Sequence, residues 1–228
     1  MIGIPSPSLI QQLKCFDSPT ISNSVEALNI RDRTEGYASM DVRCLFPELK
    51  PMVGHAVTCK ADSTSLGLRR SNGLSELFDA IVAMPKPVVI VIQNCGPDRL
   101  RSCFVGDMVA LAYQKLGAVG VATDGGIRDL SGIRRRAPGF QVFAAGAVVS
   151  HGNAAFVEVG KPVKIGGLPI EAGDLLHGDE SGLVNVPIQW VETILKEAAL
   201  VQKTEEEWID FASSKSCSLE GLKQRLAR

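Results

Sequence analysis

Uninterrupted apolar stretches alternate along the chain with segments whose apolar residues repeat at helical spacing. The runs over 87–92 and 119–123 are typical of strands that are buried on both faces. Between them, Met108 and Leu116 lie on the apolar side of a predicted helix over 106–116. A helix between two buried strands predicts parallel strands joined by a crossover connection.

The same pattern extends over much of the chain before residue 145. Helices are predicted over 9–16 with Ser8 as cap, from about Ser18, over 74–84 and from about Leu130, and strands over 53–61 and 141–145. Ligands of parallel sheets gather beyond the carboxyl ends of the strands. Since 93–97 and 124–129 follow two predicted strands, we expect a ligand site there.

The pattern changes after His151. Short apolar segments on either side of Gly166-Gly167 predict a tight hairpin, and 183–187 alternates as a strand does. We interpret these strands as a second β layer instead of further winding of the parallel sheet.

The end of the chain is predicted to be helical. One helix begins near Pro187 and extends toward Phe211, and a final polar helix follows. No linker rich in Pro, Gly or Ser divides the sequence. Residues 1–228 are therefore predicted to form a single α/β domain with peripheral helices and a C-terminal helical tail over about 187–228.

The composition narrows the possible partners. Of 228 residues, 45% are apolar and 21% are charged, as in ordinary soluble proteins. The formal net charge of −1 argues against a nucleic-acid surface, which normally needs a strong basic excess. The six cysteines form no CxxC pair, and the sequence shows neither a secretion signal nor a run long enough to span a bilayer. We therefore expect a cytoplasmic protein that binds neither nucleic acid nor a membrane.

The segment Asp124-Gly125-Gly126-Ile127-Arg128-Asp129 carries the strongest chemical signal. The Arg128 guanidinium can bind a carboxylate through two parallel hydrogen bonds. The Asp129 carboxylate can hold a hard divalent cation, directly or through water. Alternatively, the two residues form a surface ion pair that caps the helix from Leu130 and contributes little stability. For Asp124, accepting backbone N–H bonds within the loop is favoured over a ligand role.

The predicted helix over 106–116 offers a second anion-binding feature. Its start presents the free N–H groups of Gly106, Asp107, Met108 and Val109. These donors and the helix dipole attract anions, and Gly106 lets the backbone approach a ligand closely. Alternatively, Gly106 is a turn residue and Asp107 complements the dipole. The functional interpretation is favoured because two strand ends would deliver the helix start and the Arg-Asp pair to the same sheet.

Other catalytic and cofactor motifs are missing from the sequence. His55, His151 and His177 are predicted to be weak candidates for catalysis, since one lies in a probable strand and two border glycines. No HxH or HExxH spacing supports a zinc site. The sequence also has no GxSxG elbow, no GxxxxGK[ST] phosphate loop and no GxGxxG dinucleotide motif.

The chain resembles one protein family in the spacing of Gly106-Asp107, Ala112, Gly117, Gly120, Asp124-Gly125 and Arg128-Asp129. This is the family of 4-hydroxy-4-methyl-2-oxoglutarate aldolases and ribonuclease-activity-regulator A-like proteins, often labelled demethylmenaquinone methyltransferase-like. Softer similarities cover most of the chain: 18–23 resembles the family's early helix start, 54–58 its first core strand and 173–187 its closing β segment.

The resemblance implies a three-layer β/β/α sandwich of the swivelling type with a partly parallel central sheet. It also implies homotrimers or homohexamers with sites near subunit boundaries. The main-chain amides of 106–109 would hold the substrate carboxylate, Arg128 would bind the keto acid, and Asp129 would hold Mg²⁺ or Mn²⁺, largely through water. Regulators of the family often lack the aspartate after the arginine, so Asp129 favours an enzyme.

The sequence departs from the family at Asn23. The family commonly has an acidic residue at this position, and in aldolases it can come from a neighbouring subunit. An amide can orient a water but cannot accept its proton at neutral pH. The resemblance therefore leaves the general base and the particular substrate open.

Our leading hypothesis is a divalent-metal-dependent lyase that cleaves a carbon–carbon bond of a small 2-oxo acid and releases pyruvate. It would act as a class II type aldolase, as an oxaloacetate decarboxylase or as both, because both reactions form the pyruvate enolate. Arg128, Asp129 and Asp107 would be the catalytic residues, with a metal-bound or Asp107-linked water as proton relay.

Two alternatives remain open at this point. One is a non-catalytic regulator that inhibits a ribonuclease assembly through protein–protein binding, and the other is a related lyase or isomerase for another dicarboxylic acid. A methyltransferase is disfavoured, because the sequence has no convincing Gly-rich loop for adenosylmethionine.

Overall fold

The structure, a computed structural model, describes residues 4–67 and 73–226. Its α-helices are α1 (Pro7–Leu13), α2 (Ser18–Ala27), α3 (Leu74–Ala83), α4 (Asp107–Lys115), α5 (Leu130–Arg136), α6 (Val191–Ser213) and α7 (Leu219–Leu226). Its strands are β1 (Arg43–Cys44), β2 (Met52–Asp62), β3 (Val88–Asn94), β4 (Cys103–Val105), β5 (Ala118–Thr123), β6 (Gly126–Ile127), β7 (Gln141–Ala144), β8 (Gly146–Ala147), β9 (Ala155–Val157), β10 (Val163–Ile165), β11 (Leu168–Ile170), β12 (Leu175–Asp179) and β13 (Gly182–Val186). Short 3-10 segments cover Arg99–Arg101 and Ile188–Trp190.

Eight strands form the main sheet. Seven of them lie in the order β1-β7-β5-β3-β2-β12-β13, and β9 pairs with the end of β2. The central strands β7, β5, β3 and β2 are parallel neighbours, as the apolar runs predicted. The flanking strands β1, β9, β12 and β13 pair in the antiparallel sense.

Two different layers cover the faces of this sheet, because alternate residues of each strand point to opposite sides. On one face, residues such as Ile90 and Ile92 pack against α3, α4 and α5. On the other face, Val89 and Val91 pack against the antiparallel hairpin of β10 and β11, which buries Ile165 and other apolar side chains. The chain is thus a mixed α/β protein with the predicted β/β/α layers.

The prediction for the region after His151 needs one correction. The hairpin of β10 and β11 does form a separate layer, but β12 and β13 extend the main sheet through pairing of β12 with β2. A strand that alternates apolar and polar residues fits either position. Its partner is chosen by long-range backbone hydrogen bonds, which local sequence does not reveal.

Buried His177 ties the first two helices to β12. Its Nδ1 lies 2.9 Å from Ser18 Oγ, and its Nε2 lies 3.1 Å from the Phe16 carbonyl oxygen. Since a carbonyl only accepts, Nε2 carries the hydrogen and Nδ1 accepts from the serine hydroxyl. Burial lowers the pKa of His177 from its usual 6.5, which favours this neutral ring.

The helix starts near the N-terminus differ slightly from the prediction. The Ser6 side chain accepts from Leu9 N and caps α1, so the assignment of Ser8 as the cap is wrong. In α2, Asp17 accepts from Thr20 N, and Pro19 lies in the first turn, where its missing N–H costs nothing. Within 4–67 and 73–226, no helix combines the length and the apolar character that crossing a membrane requires.

A small parallel sheet lies just beyond the main one. Its order is β4-β6-β8, and each of its strands follows one strand of the parallel sheet, namely β3, β5 or β7. This arrangement brings the segments after Val105, Ile127 and Ala147 side by side. The candidate site is built from these three segments.

Candidate functional site

Two parallel strand ends bring the predicted anion-binding groups together. Arg128 N donates to Val105 O over 3.0 Å, so Arg128 lies beside Gly106 at the start of α4. The third strand end follows the same pattern, since Val148 N donates to Ile127 O over 2.9 Å. Backbone pairing alone therefore fixes the spacing between the helix start and the Arg-Asp pair.

Gly106 is required by close packing. Its backbone is extended, with φ −118° and ψ −175°, so any residue could adopt this conformation. A Cβ at this position, however, would lie 2.8 Å from Asp129 Oδ2 and 3.2 Å from Arg128 Nε. Only glycine leaves both side chains where they are, against the backbone of the helix start.

Arg128 and Asp129 form a half-exposed ion pair. Arg128 Nε lies 3.1 Å from Asp129 Oδ2, and the two side chains are 35% and 39% exposed. A pair with that exposure contributes at most about 1 kcal/mol of stability. The surface-pair alternative is thus partly right, but Asp129 makes no side-chain capping bond to α5.

The backbone of Asp129 is left-handed, with φ 58° and ψ 37°. Such a conformation costs a non-glycine residue about 1–2 kcal/mol, although aspartate and asparagine tolerate it best. In this conformation the carboxylate turns back toward Gly106 instead of capping α5. Strain of this kind is concentrated at functional sites.

The start of α4 is open to a ligand. Among the described residues, no side chain forms a capping hydrogen bond at the start of α4. The Asp107 carboxylate instead contacts the Arg136 guanidinium of α5, and its side chain is only 13% exposed. Asp107 therefore holds the two helices together, and its carboxylate is not a free acid or base in this chain.

A pocket of about 290 Å³ opens at this point. Its polar side is formed by Gly106 to Val109, Arg128 and Asp129, and its apolar side includes Leu74, Phe104 and Phe156. This volume is at the lower end of ligand pockets, which suits a small molecule. The apolar side lowers the local dielectric constant and so strengthens charge interactions on the polar side.

His151 also lines this pocket, although the sequence predicts it to be a weak candidate for catalysis. It lies on the loop after β8, far along the chain from Arg128. A histidine beside glycine and serine has no distinctive local signature. The signal that would have found it is pairing of β8 with β6, which is non-local.

Asn23 lies away from this pocket. It is part of α2, and its Nδ2 donates to Glu205 Oε1 of α6 over 3.3 Å. It does not line the pocket of its own chain. A role in the site of a neighbouring subunit stays a prediction.

Asp124 has the structural role that was favoured from sequence. Its Oδ1 accepts from Asn94 N over 2.7 Å and so links the ends of β3 and β5. Burial raises the pKa of Asp124 above its usual value. Arg99 Nη1 donates to the carbonyl oxygen of the same residue over 2.8 Å, which further orders the loop.

Asp129 is the group that could hold a divalent cation. Among the described residues, no cluster of three or more His, Cys, Asp or Glu side chains could enclose a metal ion. Mg²⁺ commonly keeps several waters and needs only one or two carboxylates together with substrate oxygens. The residues therefore fit a water-rich magnesium site and do not fit a closed protein cage.

A larger cavity, of about 630 Å³, lies near the amino ends of β2 and β3. It is lined by His55, Glu171 and Asp174, and by no arginine or lysine among the residues that the structure describes. Two carboxylates without a cation would repel an anionic substrate. We therefore assign the candidate site to the smaller pocket.

The chain can be assigned to a class of proteins by comparison with known sequences as well as by its fold. The family profile described as RraA-like, Aldolase/RraA, matches residues 19–185. The chain belongs to this RraA-like family, as the glycine-to-Arg-Asp spacing predicted.

Two curated relatives illustrate the range of the family. Protein DlpA of Legionella pneumophila is 25% identical over 202 residues, which cover 88% of this chain and 31% of that protein. A protein of Halalkalibacterium halodurans, provisionally named 4-hydroxy-4-methyl-2-oxoglutarate aldolase, is 33% identical over 119 residues, or 52% of this chain and 55% of its own length. The matches thus span only 31% and 55% of the length of these two relatives.

Solved structures share the fold. An uncharacterized protein from Pseudomonas syringae has a TM-score of 0.76 at 23% identity, covering 98% of this chain and 96% of its own. Streptomyces coelicolor RraAS2, described as an unusual member of the RNase ES inhibitor RraA family, has a TM-score of 0.67 at 23% identity, with 91% and 98% covered. At these identities the likeness concerns the fold alone.

Proposed function

We propose that this protein is a divalent-metal-dependent carbon–carbon lyase that releases pyruvate from a small 2-oxo acid. The observation that carries the proposal is the convergence of Arg128, Asp129 and the open start of α4 in one pocket. The provisional aldolase name of a relative supports the same reaction class. The reaction would be retro-aldol cleavage of a 4-hydroxy-2-oxo acid, decarboxylation of oxaloacetate, or both.

The substrate carboxylate would bind between the Arg128 guanidinium and the N–H groups of 107–109. The guanidinium and the helix-start N–H groups both lie on the polar side of the pocket. They would therefore orient the 2-oxo acid with its reacting carbons toward the apolar side. The ion pair with Asp129 leaves the Arg128 terminal nitrogens without another ion-pair partner among the described residues. These nitrogens are therefore available to the ligand.

Asp129 would hold Mg²⁺ or Mn²⁺ next to the bound keto acid. When bound, the cation would supply Lewis-acid stabilisation of the negative charge that develops on the 2-oxo oxygen. The Asp129 carboxylate packs against Gly106 and so lies beside the N-terminus of α4. In this arrangement the cation and the substrate carboxylate would both lie within reach of one three-carbon unit.

The test measures pyruvate release from oxaloacetate and from a 4-hydroxy-2-oxo acid with Mg²⁺, after subtraction of a metal-only blank. We expect EDTA and Asp129→Asn each to lower the rate by about 100-fold or more, the scale of losing electrostatic stabilisation in an active site. Arg128→Ala should raise KM by about 10–100-fold, since hydrogen bonds to a charged group contribute about 1.5–3 kcal/mol.

Asparagine is the matched replacement at 129, because it also tolerates the left-handed backbone. Arg135→Ala is the control for loss of an arginine, since Arg135 is exposed and does not line the pocket. Equal pyruvate release from wild type, both site variants and EDTA-treated protein would refute the proposal.

A second candidate function is regulation of a ribonuclease assembly through protein–protein binding. It is favoured by the fold shared with RraAS2, whose family is described as RNase ES inhibitors. This function predicts capture of a purified ribonuclease E-type partner that persists in Arg128→Ala and in EDTA. Capture that requires Arg128 or metal would count against it.

A further inference from the structure

The loop after β8 brings His151 into the same pocket as Arg128 and Asp129. His151 is the only histidine among the residues that line this pocket. The other titratable or charged groups that line it are Cys103, Asp107, Arg128 and Asp129. A small ligand held by Arg128 would therefore occupy a space of about 290 Å³ that His151 also lines.

The His151 loop is anchored to Ser63 at the end of β2. Asn153 N donates to Ser63 O over 2.9 Å, and Asn153 Nδ2 donates to Ser65 O over 3.2 Å. Ser63 Oγ accepts from Cys103 N over 2.9 Å, at the first residue of β4. The histidine loop and the strand that leads to Gly106 therefore share one support.

Gly152 makes the close approach of this loop possible. Its φ is +55°, and a Cβ at this position would overlap the Ser63 carbonyl group. Because the neighbouring backbone cannot vary freely, the position from which the His151 side chain projects is also constrained.

A backbone hydrogen bond sets the tautomer of His151. Its Nδ1 lies 2.8 Å from Gly152 O, and a carbonyl oxygen only accepts. Nδ1 therefore carries the hydrogen, and in the neutral ring Nε2 carries the lone pair. Nε2 has no hydrogen-bond partner among the described residues. The ring thus presents an unoccupied base.

The remaining groups at the pocket suit proton transfer less well. The Asp107 carboxylate contacts Arg136, and Asp129 is paired with Arg128. Burial raises the pKa of the Cys103 thiol, which keeps it protonated near neutral pH. Asn23, at the position where the family commonly has an acid, is an amide.

We propose that His151 is the proton-transfer residue of this site. The inference rests on the proposed lyase function and adds a catalytic group that the sequence signature does not contain. In retro-aldol cleavage, Nε2 accepts the proton of the 4-hydroxyl as the C3–C4 bond breaks. The electron pair of that bond passes to C3 and the 2-oxo group, and the hydroxyl carbon becomes the carbonyl product.

The same proton completes the reaction. The imidazolium returns it to C3 of the enolate, which gives pyruvate and restores neutral His151, so atoms and charge balance. Decarboxylation of oxaloacetate differs at the first step, because loss of CO₂ requires no proton to be removed. Its enolate can also take a proton from water after release. The two reactions should therefore depend on His151 to different extents.

The experiment compares both reactions in His151→Asn. The asparagine amide can keep the donor bond to Gly152 O but has no atom at the Nε2 position. We expect aldol cleavage to fall by about 100-fold or more, within the usual contribution of a general base. Decarboxylation should fall by less than about fivefold, and exchange of pyruvate C3 protons with D₂O should fall together with aldol cleavage.

Asn153→Ala is the matched control, because it loosens the loop but retains the imidazole. A purely structural role predicts that both variants lower the two reactions by equal factors. In His151→Ala, added imidazole should restore part of the aldol cleavage and leave decarboxylation unchanged. Equal losses in His151→Asn, or full retention of both reactions, would overturn the inference.

The measurements distinguish a wrong role for His151 from a wrong proposal of lyase function. If Asp129→Asn is inactive while His151→Asn cleaves the aldol at the wild-type rate, the lyase proposal stands and the role of His151 is wrong. If wild type neither cleaves the substrates nor exchanges pyruvate protons, both proposals fail together.

Discussion

At the scale of single residues, the site depends on the lack of a side chain at Gly106 as much as on the side chains of Arg128 and Asp129. Gly106 has an ordinary extended backbone, yet the atoms of Arg128 and Asp129 occupy the space that a Cβ would need. The usual reason for a glycine, a left-handed backbone that other residues rarely adopt, does not apply to Gly106. Glycine is required because two charged side chains lie against its α-carbon.

This packing makes Gly106→Ala a test of the site geometry. The added methyl group would displace the Asp129 carboxylate, and kcat/KM for pyruvate release should fall by about 10–100-fold, the cost of misplacing a catalytic group by about 1 Å. Overpacking should lower stability by about 1–3 kcal/mol. Thermal unfolding and steady-state kinetics measure the two effects separately.

Gly146→Ala is the control for this prediction. Gly146 lies in β8, and a Cβ built there meets no atom within 4 Å. It should therefore retain activity and stability. Equal kcat/KM values for Gly106→Ala and Gly146→Ala would show that the close packing at Gly106 does not contribute to activity.

At the scale of elements, strand ends and helix starts place the functional groups, and a polar anchor attaches the peripheral helices. Strands β4, β6 and β8 pair in parallel, with a register shift in β4 between Cys103 and Val105, and bring Gly106, Arg128 and the His151 loop together. At the other end of the sheet, His177 connects α1 and α2 to β12 through Ser18 and two carbonyl groups. Local sequence predicted the helices and the long central strands but not the short strands β4, β6 and β8, and the pairing of all these strands depends on contacts distant in sequence.

The anchor at His177 predicts a pH-dependent stability. Burial is the main cause of its lowered pKa, so the unfolded chain binds a proton more readily than the folded chain. Its stabilising contribution is therefore fully present above the unfolded pKa of about 6.5 and is lost as pH falls from there toward the lowered folded pKa.

His177→Gln should reduce this dependence. Urea unfolding at pH 7.5 should show a loss of about 1–3 kcal/mol, because buried groups lose hydrogen bonds. Between pH 7.5 and pH 5.5 the variant should lose less stability than wild type. Parallel pH profiles for the two proteins would contradict the assignment of His177 as a neutral anchor.

At the scale of the whole molecule, large apolar side chains are exposed on segments that border the site. Leu66 and Val149 are each 96% exposed, and Met108 at the start of α4 is 78% exposed. Leu66 follows the Ser63 segment and Val149 lies in the His151 loop, so both belong to the surroundings of the site. Exposed apolar side chains that form a contiguous patch often mark protein–protein contacts.

The family resemblance implies a homotrimer or homohexamer, and we expect a mass of three or six times 24.3 kDa in size-exclusion chromatography with light scattering. Val149→Asp should shift the mass toward that of a single chain, since a buried unpaired charge costs several kcal/mol. In such an assembly Asn23 would be near a neighbouring site. A 24.3 kDa species that retains full activity would contradict this expectation.

The amino-acid sequence by itself determined the order of the helices and of the central strands, the parallel core and the spacing of the Arg-Asp signature, because hydrophobic periodicity and glycine positions act over short distances. Tertiary structure alone decided that β12 and β13 join the main sheet, that Asp107 binds Arg136 and that His151 reaches the pocket. These outcomes depend on hydrogen bonds and packing between segments far apart in the chain. A local sequence pattern does not indicate which distant segment a strand, a carboxylate or a loop will contact.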